Sequence, residues 1–217
     1  GTPPSERCRH SAIYDPLRDR MIVFGGSDGL RELDDVWALS LMDTPCWTRL
    51  VPGGTSPSAR RNHTAIYDPL RDRMVVFGGW GTTSSYLDDV WALSLADVPC
   101  WTRLTPGGTS PSARHGHTAI YDSLRNRMVV FGGMAAATTY LNDVWTLSLA
   151  DTSGWRRMTT SGWPSARYDH SAIYDPARDR MLVFGGEYGA QRNDVWALPL
   201  TGNPNWTELT PASSPGG

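Results

Sequence analysis

One seven-residue stretch, Arg-Met-Val-Val-Phe-Gly-Gly at 73–79, constrains the whole chain. It recurs with minor changes at 20–26, 127–133 and 180–186. From Gly25 to Gly78, Gly132 and Gly185 the steps are 53, 54 and 53 residues, and the rest of the sequence keeps that period. A fixed period of about 50 residues marks an architecture of stacked units, each too small to bury its own apolar surface.

One unit, 57–105, reads as four short strands. Residues 63–67 are rich in β-branched and aromatic types and form the first. Asp68-Pro69 opens a tight turn, since Asp caps backbone N–H groups and Pro presets φ. Residues 74–77 are apolar on both faces and form a buried second strand that Gly78-Gly79 ends. In the third, 89–95, Trp91, Leu93 and Leu95 share one face and Val90, Ala92 and Ser94 the other. One bulky and one small face suit sheets stacked in interlocking layers. Residues 101–104 form the fourth strand. No segment has helical periodicity over ten residues. The fold class is therefore all-β, a β-propeller of four-stranded antiparallel blades. It is read as one domain over 1–217, with repeats at about 1–51, 52–105, 106–159 and 160–211 and a tail at 212–217.

The Phe-Gly-Gly strand end, the Asp-Val-Trp strand and the following Trp resemble kelch repeats. The resemblance covers nearly the whole chain four times. It departs from the familiar pattern in one respect: nine residues separate Trp37 from Trp47, Trp91 from Trp101 and Trp145 from Trp155, so the loop between strands three and four is long. Kelch-like propellers usually have six or seven blades, and four repeats leave three arrangements open: a closed four-bladed ring, a piece of a larger ring, or two chains combined. No strand is left over to complete a blade from the opposite terminus. The favoured expectation is closure into a monomer; otherwise the chain assembles with further blades.

Charge and cysteine content narrow the partners. The formal net charge is −2, all basic residues are Arg, and like charges do not cluster, so no nucleic-acid partner is expected. No apolar run approaches the ~18 residues of a membrane span, so no membrane partner is expected either. Cys46 and Cys100 hold equivalent positions in neighbouring units, a whole blade apart, and with Cys8 are read as free thiols.

In such a unit the loop entering strand one and the loop leaving strand two emerge on the same face. Both vary between repeats, whereas the turn joining strands one and two hardly changes. Residues that hold a repeat together should recur in every copy; those that recognise an asymmetric partner need not. The expected ligand-binding residues are Arg9, Arg61, Asn62, Trp80, Trp163, Tyr168, Asp169, Glu187, Tyr188 and Arg192. Arg31, Tyr86, Met134 and Tyr140 share that face, although Tyr86 and Tyr140 precede Leu at matching positions, and for them packing is the stronger reading. Exposed Trp, Tyr and Arg are the usual anchors of a binding surface; free drift of surface loops is the plainer reading.

Arg-x-x-His recurs at Arg7/His10, Arg60/His63, Arg114/His117 and Arg167/His170. Strict recurrence points to scaffolding: one Arg–Asp pair per blade, to Asp35, Asp89, Asp143 and Asp194, with each His bonding a loop carbonyl. No metal or other cofactor is expected. Hydrolase elbows, metalloprotease helices and phosphate loops are absent from the sequence, as are the iron and copper ligand patterns of kelch-like enzymes. The leading expectation is a non-enzymatic module that binds a protein or peptide through the variable face. Glycan recognition and an engineered or duplicated scaffold without a ligand are the alternatives.

Overall fold

The structure is a computed structural model that describes residues 1–136, 138–150 and 152–210. The segment read as a tail lies outside the described residues. No helix occurs among those described. Four blades follow one another, the four strands of each ordered by sequence and antiparallel. The sheet of blade 2 also carries Gly53–Gly54, parallel to its outer strand, and Arg60–Arg61. Glu187–Tyr188 pairs with Ala190–Gln191 in a small separate hairpin. Blade 1 is Ser11–Asp15, Arg20–Phe24, Val36–Ser40 and Trp47–Leu50. Blade 2 is Thr64–Asp68, Arg73–Gly81, Tyr86–Ser94 and Cys100–Leu104. Blade 3 is Thr118–Asp122, Arg127–Ala135, Thr139–Ser148 and Trp155–Met158. Blade 4 is Ser171–Asp175, Arg180–Phe184, Val195–Pro199 and Thr207–Leu209. First strands lie beside first strands, from blade 1 to 2, 2 to 3 and 3 to 4. The four-bladed, kelch-like propeller architecture expected from the sequence is the one observed.

The third-strand alternation does what its residue sizes suggest. Val36 and Ala38 of blade 1 pack with Ile13, Ile22 and Phe24 against Met74, Val76, Trp91, Leu93 and Trp101 of blade 2. The same layering joins blades 2 and 3, and blades 3 and 4. At the heart of each seam a Phe inserts between a His and a Trp of the next blade. Phe24 meets His63 and Trp101 at ring-centroid distances of 5.1 and 5.0 Å; Phe77 and Phe131 repeat this with His117/Trp155 and His170/Trp206. All three Phe are fully buried.

Polar bonds repeat with the same regularity. The Arg–Asp pairs form in every blade, with Arg Nη1 to Asp Oδ1 distances of 2.6, 2.6, 2.7 and 2.7 Å. Each Asp also accepts the indole N–H of the Trp two residues on. The His expectation needs correction. Instead of bonding a loop carbonyl, the Nε2 atoms of His63, His117 and His170 face a hydroxyl of the preceding blade: Ser11 Oγ at 2.7 Å, Thr64 Oγ1 at 2.9 Å and Thr118 Oγ1 at 2.8 Å. A hydroxyl can donate or accept, so it suits either tautomer of the imidazole.

The Gly-Gly pair also behaves differently from the expectation. In blades 1 and 4 the second strand ends at the Phe. In blades 2 and 3 it continues through the glycines after a register shift, and strands two and three extend as a hairpin pairing Trp80 with Tyr86 and Met134 with Tyr140. Gly78 has φ +64, and a Cβ there would lie 2.9 Å from the Arg114 carbonyl oxygen. Only glycine serves where the chain both turns left-handed and touches the next blade's backbone.

Among the described residues the ring does not close. No apolar cluster joins blade 4 to blade 1 among the described residues. Phe184, the counterpart of Phe24, Phe77 and Phe131, is 53% exposed, and Ile173 is 61% exposed. On blade 1 the corresponding His10 is exposed, as is Tyr14 at 52%. The favoured closed monomer is therefore not the arrangement observed.

Candidate functional site

Four residues at equivalent positions just before the first strands take left-handed conformations: Arg9, Asn62, Gly116 and Asp169, with φ between 50 and 62°. That geometry strings a backbone ladder around the hub. The Asn62 N–H donates to the Arg9 carbonyl, Gly116 to Asn62 and Asp169 to Gly116, at 2.9, 3.0 and 2.7 Å. Holding the backbone this way points the preceding residues, Arg61, His115 and Tyr168, toward the hairpins that follow the second strands.

The outcome is an open cavity of about 370 Å³ lined by Arg9, Arg61, Asn62, Trp80, Tyr86, His115, Met134, Tyr168 and Asp169. Its wall is aromatic. The Tyr86 ring stacks on His115 at 5.2 Å and 23°, and Trp80 stands edge-on to both, 4.8 Å from Tyr86 and 5.3 Å from His115. The chain of rings continues from His115 to Tyr168, Tyr140 and Tyr188. Its floor is polar: the Asn62 amide donates to Asp169 Oδ1 at 2.9 Å, across the hub from blade 2 to blade 4. Arg61 lies 3.6 Å from Glu32. Arg9 has no ionic partner among the described residues. Burial lowers the pKa of His115, with the Asp169 carboxylate pulling the other way, so the imidazole is neutral at pH 7. Its Nδ1 is buried without a hydrogen-bond partner. Burial and the neighbouring Glu187 raise the Tyr168 pKa, keeping the phenol protonated and able to donate.

Six of the ten sequence-derived residues therefore meet in one cavity: Arg9, Arg61, Asn62, Trp80, Tyr168 and Asp169. Glu187 and Tyr188 lie beside it on a two-residue hairpin; Glu187 exchanges backbone hydrogen bonds with Tyr168. Arg192 is half-buried behind that hairpin, its N–H donating to the Gly186 carbonyl. Trp163 does not join them. It lines a separate hollow of about 470 Å³ with Asn142, Arg157 and Met158, at the outer part of blade 3. The residue that sequence reasoning missed is His115. Its place in the variable pair His115-Gly116, aligned with Arg61-Asn62, was the available signal.

Among the described residues no cluster of His, Cys, Asp and Glu has a metal-binding arrangement. His63, His117 and His170 spend Nε2 on the seams and are buried. The three thiols are free and exposed. No helix among the described residues is long and apolar enough to cross a membrane.

A model of the KLHDC2/KLHL20/DRC7 Kelch-repeats domain matches residues 1–99 and 96–216. Adagio protein 3 of Arabidopsis thaliana is 32% identical over 97% of this chain and 34% of its own length. Human Host cell factor 2 is 30% identical over 92% of this chain and 27% of its own length. The chain thus spans about a third or less of these relatives. The solved structure of YjhT aligns with a TM-score of 0.74 at 19% identity, over 99% of this chain and 68% of that one, a likeness of fold. With four copies of the motif, four matching blades and these matches across its length, the chain belongs to the kelch-repeat family.

Proposed function

We propose that the protein is a binding module that recognises a protein or peptide segment through the cavity on its variable-loop face. The observation that carries this reading is the composition of that cavity. Rigid aromatic rings and charged groups converge at positions that differ from blade to blade. The recurring Arg, His, Asp and Trp are occupied in the seams and within the blades. Trp, Tyr and Arg gathered around a concave centre are the groups that anchor protein interfaces. A cavity of this size takes one or two side chains of a partner, with the surrounding loops as its rim.

The test uses a random peptide display library panned on the whole chain. Peptides are expected to enrich, and Trp80→Ala and His115→Ala are each expected to weaken the best by about tenfold or more, the scale of one anchor residue. Enrichment that survives both substitutions would move the site elsewhere. Peptide failure alongside sugar binding on a glycan array would replace this reading with carbohydrate recognition.

A further inference from the structure

The exposed faces of blades 4 and 1 are the two halves of a seam. We propose that blade 4 docks against blade 1 of a second copy of this chain, head to tail, making the joint already formed three times inside each copy.

Every element of the three filled seams has its counterpart at the open ends. Phe184 would enter between His10 and Trp47, as Phe77 enters between His117 and Trp155. Trp47 is only half-buried, whereas Trp101, Trp155 and Trp206 are buried. The Ser171 hydroxyl stands where Ser11, Thr64 and Thr118 bond the next blade's His, and His10 is that His. On the opposite edge, Arg18 pairs with Asp72 at 2.7 Å and Arg125 with Asp179. Arg178 and Asp19 are the matching residues, and the Arg178 side chain is 67% exposed, with its own turn's Asp175 as its one ionic partner among the described residues.

Phe184 lines a hollow of about 220 Å³ with Ser171, Ile173, Leu182, Val183 and Val195, apolar side chains but for the Ser171 hydroxyl. A contiguous apolar surface at the end of a stack is an interaction site by default. Its occupant must supply a His and a Trp at blade spacing, with a carboxylate at the Arg178 edge. Blade 1 of another copy supplies all three. A head-to-tail contact of this kind is heterologous, so two copies that close on each other give eight blades, the top of the range for β-propellers in general, and copies that do not close give longer chains.

Light scattering on the eluting protein, across micromolar concentrations, reads the mass. Two copies or more are expected. Phe184→Asp removes the knob from a residue already half in solvent, and His10→Glu spoils the socket at an exposed position. Each alone is expected to yield single chains with an unchanged circular dichroism spectrum. Mixed, the two variants are expected to recover a two-chain species, because one intact knob meets one intact socket. A wild-type protein of single-chain mass at every concentration overturns the proposal. A multimer whose mass survives Phe184→Asp overturns it as well.

Discussion

The seam between blades 2 and 3 and the pair of faces at blades 4 and 1 use the same residue types in the same order, yet one is dry and the other wet. Phe77 is fully buried and Phe184 is 53% exposed. A Cβ on Gly78 would strike the Arg114 carbonyl oxygen and His117; a Cβ on Gly185 would meet only the Arg192 carbonyl oxygen, on its own blade. The difference teaches that the motif encodes a joint rather than a core. Each copy supplies half of two joints, and stability is generated between blades, as expected of quasi-one-dimensional repeats.

The sharpest way to break this comparison is to truncate the same side chain in both places. Phe77→Ala should cost about 3–5 kcal/mol, because a close-packed seam cannot collapse into the space left behind. Phe184→Ala should stay within about 0.5 kcal/mol, since water already reaches the ring. Urea unfolding of the two variants under conditions where the protein is a single chain measures both. Equal losses would mean that blade 4 is packed in solution as blade 2 is.

Acid provides a second contrast. Burial, then the adjacent guanidinium, pushes the pKa values of His63 and His170 down to about 3, and His117 is lowered for the same reasons. Unfolded, each imidazole takes up a proton near pH 6.5. Between those values the unfolded chain binds more protons than the native one, so stability is full above pH 6.5 and falls as the pH drops toward 3. The slope is about 1.4 kcal/mol per pH unit for each seam His. The Asp carboxylates partnered by Arg are also lowered, Asp194 to about 2, and add acid sensitivity only below their ordinary pKa of 3.8. The interval from 6.5 to 4.5 therefore reports on the histidines. Replacing His63 by Gln should remove one share of that slope, whereas His10→Gln, at the open face, should change it much less. Unfolding midpoints measured at several pH values in that interval decide between these outcomes.

How much of this was legible beforehand follows from the same contrast. Strand number, order and face were readable because an error in one repeat is corrected by three others. The Arg7–Asp35 pair and its three counterparts were readable for that reason. Whether the ring closes was not, because Phe184 looks like Phe77 whether or not a blade lies beyond it. The strand running through Gly78-Gly79 was hidden because paired glycines ordinarily stop a strand, and nothing local announces a hairpin beyond. Missing that hairpin hid His115, whose stacking on Tyr86 depends on it. That Trp163 lies apart from the hub cavity was hidden for the opposite reason: a large exposed aromatic in a variable loop signals contact but carries no direction, and it lines a hollow with Asn142, Arg157 and Met158 instead.

The smallest effect sharpens the comparison from the other side. If the seams carry stability, side chains on the variable face should be nearly dispensable to it. Tyr188 is 48% exposed on a hairpin of two-residue strands, and its one ring contact among the described residues is to Tyr140 at 5.1 Å. Losing one edge-on contact from a solvated ring should move stability by no more than about 0.5 kcal/mol. Trp80 is half-buried against Tyr86 and His115, so Trp80→Ala should cost about 1 kcal/mol, still well under the Phe77 value. Urea titrations of both loop variants beside Phe77→Ala place them on one scale. A loss of 3 kcal/mol or more at Tyr188 would mean that the variable loops themselves clamp the blades, and that sequence difference between repeats is not a guide to where a ligand binds.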